Sequence, residues 1–215
     1  MNRSASNVPA DALAGNPGNP TGEAGRAMLE RMNESHGELT EWALGFVEFQ
    51  NGYEALDVGC GGGATMQRIA RRYAGGHVHG IDHSKEAVAL ARETNQKTIE
   101  AGRMTVRRAS VERLPFENGT IDMAVSVESL YFWPRPDAGL GEICRVLRHG
   151  GQLVIALEAY ENGNLPESVQ ANAQQFGLFM PTMGELRCLL REAGFDSVDI
   201  CTQPNTLWLA AIATK

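Results

Sequence analysis

The sequence has no run approaching the ~18 consecutive apolar residues that a membrane-spanning helix needs, which excludes such a helix. Basic charge is scarce: 19 Lys and Arg stand against 26 Asp and Glu, a formal net charge of −7. Binding a polyanion calls for clustered Lys and Arg, so neither nucleic acid nor an anionic membrane is expected as a partner. Cysteine is confined to Cys60, Cys144, Cys188 and Cys201, with no C-x-x-C pair and no His cluster nearby. Reduced thiols are therefore expected rather than a disulfide framework or a zinc site. Residues 1–21 hold one basic residue, Arg3, and lack the apolar stretch of a secretory signal, so the expected location is cytoplasmic. There is no Gly-X-Y period and no repeat at solenoid spacing.

Glycine is abundant instead, 24 of 215 residues, against a usual share of ~7%. Residues 1–21, rich in Asn, Gly, Pro, Ser and Ala, read as a disordered or loosely docked tail. Residues 22–50 read as an N-terminal helical cap, since Leu39, Trp42, Ala43 and Phe46 recur at helical spacing. Residues 51–215 read as one α/β domain. Seven strands are expected, at 55–58, 77–81, 104–109, 121–127, 152–157, 197–202 and 206–214. Helices are expected between them, including 85–101 after the N-cap Ser84 and one opened by the capping box Thr182–Glu185. Gly75-Gly76, Gly102, Gly150-Gly151 and Gly194 read as helix stops, and 159–181 as a loop of the length often found in lids. Alternating strands and helices imply a doubly wound, mostly parallel sheet. The short Gln203-Pro204-Asn205 join makes the last two strands an antiparallel pair.

Ligands of such sheets bind at the carboxyl ends of the strands, where strand order reverses. The first strand runs into Asp57-Val58-Gly59-Cys60-Gly61-Gly62-Gly63, and these glycines are expected to serve a ligand pressed against the backbone. No Lys follows them as a phosphate loop requires. Gly59, Gly61 and Ala64 formally match the dinucleotide pattern G-x-G-x-x-G/A, which leaves an NAD-dependent oxidoreductase open. Asp57 weighs against a pyrophosphate and suits a ligand with an ammonium group. Asp82, after the second strand, is placed to accept hydrogen bonds from ribose hydroxyls, or to cap the next helix.

The runs LDVGCGGG (56–63), GID (80–82), LPFENGTIDMAV (114–125) and EICRVLRHGGQLVI (142–155) together resemble the class I S-adenosylmethionine-dependent methyltransferases, from about residue 53 to the end. The N-terminal helix pattern and Tyr131-Phe132-Trp133-Pro134 look like a small bacterial methyltransferase-domain type. The resemblance implies a Rossmann-like fold and S-adenosyl-L-methionine as cofactor, with S-adenosyl-L-homocysteine as product. It sets Asp57 near the methionine amino group, directly or through water. Gly59 and Gly61 then lie along the methionine, Asp82 on the ribose and His83 beside the adenine. Many relatives carry an Asp before LPF, where this chain has Ser110 and then Val111; both are expected at the adenine. Val127, where the fourth strand meets the glycine loop, completes the cofactor set.

Methyl transfer needs chiefly orientation, worth ~7–11 kcal/mol. The acceptor is expected to be a small soluble molecule methylated at O, N, S or C; Glu128-Ser129-Leu130-Tyr131 in place of the [D/N]-P-P-[Y/F] tetrad of amino- and amide-methylating relatives counts against DNA adenine or glutamine-amide substrates. Candidate catalytic residues are Glu128, as base or cation attractor; His36, whose ordinary pKa suits proton removal; and Tyr131, from an aromatic run that cannot all face one core. Glu158 ends the fifth strand and points toward the same cleft. No metal is expected: His77 and His79 share a strand face, but spacing supplies no third ligand, and His79 is expected under a helix. A non-catalytic S-adenosylmethionine-binding protein also stays open.

Overall fold

The computed structural model describes residues 16–50, 52–72 and 75–215, so most of the expected tail, Asn51 of the turn and Tyr73 lie outside it. Strands β1 (Glu54–Val58), β2 (His77–Asp82), β3 (Met104–Arg108), β4 (Ile121–Val127), β5 (Leu147–Leu157), β6 (Ser197–Thr202) and β7 (Leu209–Thr214) form one sheet. Its order is β3-β2-β1-β4-β5-β7-β6. The first five strands pair in parallel, and β7 runs antiparallel between β5 and β6. Strand order reverses between β1 and β4, and both lead into the same crevice.

The central strands are continuous apolar runs because both faces are covered. Alternate side chains serve opposite layers. Leu56, Ala124, Leu153 and Ile155 pack with Leu140 and Ile143 of α6 (Pro136–Val146) and with Leu186 and Leu190 of α8 (Met183–Glu192). Ala55, Met123, Val125 and Val154 pack with Met66 and Ile69 of α3 (Ala64–Arg72) and Val88 of α4 (Lys85–Thr94). The same layer takes Leu39, Ala43 and Leu44 from α2 (Gly37–Leu44), which follows α1 (Gly22–Ser35). Residues 16–21 run along the carboxyl edge of the sheet. There Pro20 is buried, and its carbonyl accepts the Ser84 hydroxyl at 3.0 Å.

Four local expectations need correction. The helix expected over 85–101 breaks at Asn95, whose buried side chain donates to the carbonyls of Gly63 and Ala91 at 2.9 and 3.0 Å; α5 (Gln96–Glu100) continues beyond it. Gly150-Gly151 lies inside β5 rather than ending α6, because Gly150 N–H and Gly151 C=O pair with Lys215. The 159–181 segment contains α7 (Glu167–Phe176), whose sparse apolar positions Val169, Ala173 and Phe176 are only half-buried among Gln and Asn. β7 starts at Leu209, since Thr206 turns back onto Gln203.

The capping box is present in full: Thr182 Oγ1 accepts Glu185 N–H, and Glu185 accepts Thr182 N–H. Thr182→Ala is expected to cost about 1 kcal/mol. Urea unfolding would read this as a lower midpoint with an unchanged slope.

Candidate active site

A cavity of about 330 Å³ opens where β1 and β4 diverge. One wall is the turn after β1. Gly59, Gly61 and Gly63 adopt positive φ of 74°, 50° and 86°. Expected to serve a ligand, the glycines divide once packing is considered. A Cβ on Gly59 would lie 2.4 Å from the Ser129 Cβ. On Gly62 it would strike the Asn33 amide at 2.4 Å, and on Gly63 the Asn95 amide at 2.5 Å. Gly61 alone of the four has room, its nearest neighbour being Leu29 at 3.7 Å. Three of these glycines thus admit neighbouring protein, and Gly61 leaves bare backbone facing the cavity. Asn33, part of the N-terminal helix pattern but given no contact by the sequence, grips the turn: from α1 it donates to Gly62 C=O at 3.1 Å and accepts Ala64 N–H at 3.4 Å.

Asp82 accepts Gly61 N–H through Oδ2 at 3.0 Å and Ser84 N–H through Oδ1 at 2.8 Å. Asp82 thus holds the entry to α4 and also lines the cavity. His83, exposed, and Ser110 and Val111 line the same end. Ser110 Oγ already accepts Glu112 N–H at 3.2 Å. Val127 lines the opposite wall. Asp57 stands behind the glycine turn, outside the lining residues and 1% exposed, and its Oδ2 has no hydrogen-bond partner. Burial and then the charge of Asp82 push its carboxyl up to about 8, against a backbone hydrogen bond from Met66. An orphaned acid beneath a bare-backbone turn suits a ligand that brings an ammonium group.

The N-terminal segment closes this end. Pro17, Gly18 and Pro20 line the cavity, and a Cβ on Gly18 would lie 2.8 Å from the Phe132 ring. Of the aromatic run, Tyr131 and Trp133 are buried, while Phe132 is half-buried and walls the cavity.

The other end gathers His36, Glu128 and Glu158, whose donor atoms all lie within 4.8 Å of one another. His36 sits between α1 and α2, its carbonyl held by Thr40 N–H at 3.0 Å and Thr40 Oγ1 at 2.7 Å. Glu128 has φ 53°, left-handed for a side-chain-bearing residue, just where β4 ends. Such strain persists where surrounding structure over-determines it. Its Oε1 accepts Glu158 N–H and lies 3.0 Å from the Tyr131 hydroxyl. That hydroxyl also lies 2.7 Å from Ala159 C=O and accepts Ala159 N–H at 3.1 Å. One hydroxyl proton thus faces two acceptors. Tyr131 stands behind Glu128 and lines an adjoining groove rather than this cavity.

Burial and then the nearby Glu158 charge push the Glu128 carboxyl up to about 8. Burial also raises Glu158, although it stands on the exposed rim. Burial lowers His36 to about 4, so the imidazole is neutral at neutral pH. The strand histidines lie elsewhere. His79 contacts Glu54 at 2.8 Å, Thr105 at 2.7 Å and the Phe116 ring at 5.0 Å, on a loop rather than beneath a helix.

Residues 56–155 match the family described as "Methyltransferase domain". The chain is 31% identical over 164 residues to an O-methyltransferase of Aspergillus nomiae, covering 74% of this chain and 72% of that protein. It is 34% identical over 152 residues to an O-methyltransferase of Penicillium expansum, covering 69% of this chain and 54% of that one; the chain thus spans about half that relative's length. Among solved structures, phosphoethanolamine N-methyltransferase 2 of Haemonchus contortus with S-adenosyl-L-methionine superposes with a TM-score of 0.76 at 18% identity, over 88% of this chain and 57% of that one. A geranyl diphosphate methyltransferase, also bound to that cofactor, gives 0.71 at 17% identity over 93% of each chain. These likenesses set aside the oxidoreductase and non-catalytic alternatives. The chain belongs to the class I S-adenosylmethionine-dependent methyltransferases, with S-adenosylmethionine as its cofactor.

Proposed function

We propose that the chain methylates a hydroxyl oxygen of a small organic acceptor, with Glu128 receiving the acceptor's proton. The observation that carries this is one cavity lined by the glycine turn and Asp82 and also by His36 and Glu128, with Glu158 within 4.8 Å of the last two. The O-methyltransferase relatives support an oxygen acceptor. Apolar Leu29, Met32 and Phe132 in the lining favour an organic one. The acidic balance of the chain disfavours nucleic acid, and no described helix is long and apolar enough to cross a membrane. A cytoplasmic location fits this reading.

On the cofactor side, Gly59, Gly61 and Val127 flank the methionine portion, and Asp57 meets its ammonium through water from behind the turn. Asp82 keeps lone pairs for the ribose hydroxyls. His83, Ser110 and Val111 bracket the adenine. When bound, the sulfonium supplies an electrophilic methyl carbon. A hydroxyl becomes a good nucleophile as its proton leaves, and a base works best with a pKa near the operating pH. His36, expected from its ordinary pKa to take that proton, is mismatched at about 4. Glu128, near 8, is matched. His36 instead offers a neutral lone pair that orients the hydroxyl, and Tyr131 holds the Glu128 carboxyl in place. No metal has a part in this reading.

Isotope-labelled S-adenosylmethionine offered with a panel of phenols and alcohols tests the acceptor class; label passing only to amines or carbons overturns it. With a working acceptor, Glu128→Gln is expected to lower kcat by about 10²–10⁴ while leaving S-adenosylhomocysteine affinity unchanged. Glu128 must be ionised to act, so the wild-type rate should rise with pH through about 8.

Asp57 yields a second outcome. Its raised carboxyl is largely protonated at pH 7 and ionises when an ammonium arrives. Binding of S-adenosylhomocysteine should therefore release a proton and tighten as pH rises toward 8. Calorimetry in buffers of different ionisation enthalpy should show that release, with Asp57→Asn binding more weakly and releasing none.

A further inference from the structure

Glu128 and Glu158 come together because of the sheet itself. β4 and β5 are neighbours in parallel register, Val127 opposite Ala156, so both chains leave the sheet side by side. Glu128 N–H still pairs with Ala156 C=O at 2.9 Å, and Glu158 N–H returns to the Glu128 side chain. Backbone thus fixes where both residues leave the sheet and holds the Glu128 carboxyl against the Glu158 backbone, and the exposed Glu158 carboxylate lies within 4.8 Å of it. They are not equivalent: Glu128 lies inside the cavity, and Glu158 stands on its exposed rim.

The other charged or titratable groups around Glu128 do not neutralise it. From the α1–α2 junction comes His36, within 4.8 Å and without a hydrogen bond to its ring among the described residues. From the turn after β4 comes the Tyr131 hydroxyl. From α3 comes Arg68, which lines the same cavity but is paired with Glu41 at 3.6 Å. No described Lys or Arg makes an ion pair with Glu128 or Glu158.

We propose that Glu158 is a positioning residue that sets the ionisation of Glu128, the two carboxyls forming a coupled pair in which charge on the rim holds the proton inside. Two like charges this close titrate in separated steps, so the rim group ionises first and the inner one last. Near neutral pH the pair then carries a single negative charge with no cation against it. Such a corner admits acceptors that donate a hydrogen bond, a neutral alcohol or phenol or a cationic molecule. It rejects carboxylates and phosphates, which would add a further negative charge. The proton that Glu128 takes from the acceptor leaves toward the rim, where solvent reaches. This inference rests on Glu128 as the proton acceptor.

The test needs no acceptor. The full chain, saturated with S-adenosylhomocysteine and carrying ¹³C at the glutamate side-chain carboxyls, is titrated by NMR, with Glu128 assigned by the signal lost in Glu128→Gln. The wild-type midpoint is expected near 8. In Glu158→Gln it should fall by about one pH unit. Glu158→Asp, which keeps the charge, should restore most of that shift. Glu167→Gln, on exposed α7, should leave the midpoint where it is. An unmoved midpoint in Glu158→Gln, or a wild-type Glu128 that ionises in the ordinary carboxylate range, overturns the proposal. So does Mn²⁺ binding at the three side chains, which would make the cluster an ion site. S-adenosylhomocysteine affinity on the same samples reports separately on the cofactor reading.

Discussion

The carboxylate of Asp82, at the end of β2, spends one oxygen on Gly61 N–H and the other on Ser84 N–H. Through the first it fastens the turn after β1 to the neighbouring strand. Through the second it starts α4, whose N-cap Ser84 also accepts Ala87 N–H at 3.3 Å. The Ser84 hydroxyl then reaches Pro20 and draws residues 16–20 over the cavity. Three segments distant in sequence thus depend on one nearly buried carboxylate, held by charge-assisted bonds worth ~1.5–3 kcal/mol each. The same negative charge helps keep the Asp57 proton in place. Asp82 therefore both shapes this end of the cavity and tunes the acid behind it.

Around that anchor the glycine turn is a packing solution as much as a binding one. Ser129 fills the space a side chain on Gly59 would need, and is held there by Val58 C=O and Ser126 Oγ, each at 2.8 Å. This brings the ends of β1 and β4 together, and with them the two halves of the chemistry. Asn33 and Asn95 press on Gly62 and Gly63 in the same way. The turn is thus gripped from three sides and presents a rigid backbone, which lowers the ordering cost of binding.

The cluster of His36, Glu128 and Glu158 is built on another logic. His36, Glu128 and Glu158 come from the α1–α2 junction, the end of β4 and the end of β5, and no local pattern links them. Each was visible singly: Glu128 and Glu158 as residues following strands, His36 on a helical stripe. What spacing does not convey is burial. Burial shifts His36 and Glu128 in opposite directions, since it penalises the imidazolium in one case and the carboxylate in the other. Asn33, seen only as part of a helix pattern, had no legible role for a similar reason, as an Asn on a helix acquires one only through what lies opposite it.

The sequence by itself determined the strand–helix alternation, the parallel sheet with its antiparallel end, the turn after β1 and the acidic residues beside it. These features are local: each depends on periodicity, turn residues and caps within a few positions, and physics acts on them at short range. It did not reveal α7, whose half-buried Val169, Ala173 and Phe176 form only a sparse stripe among Gln and Asn. Nor did it reveal which glycines yield to neighbours and which to a ligand. Tertiary structure alone decided those points and the charge states of Asp57, His36 and Glu128. Desolvation and close packing belong to groups that meet in space, and that meeting exists only once the sheet has brought its strand ends together.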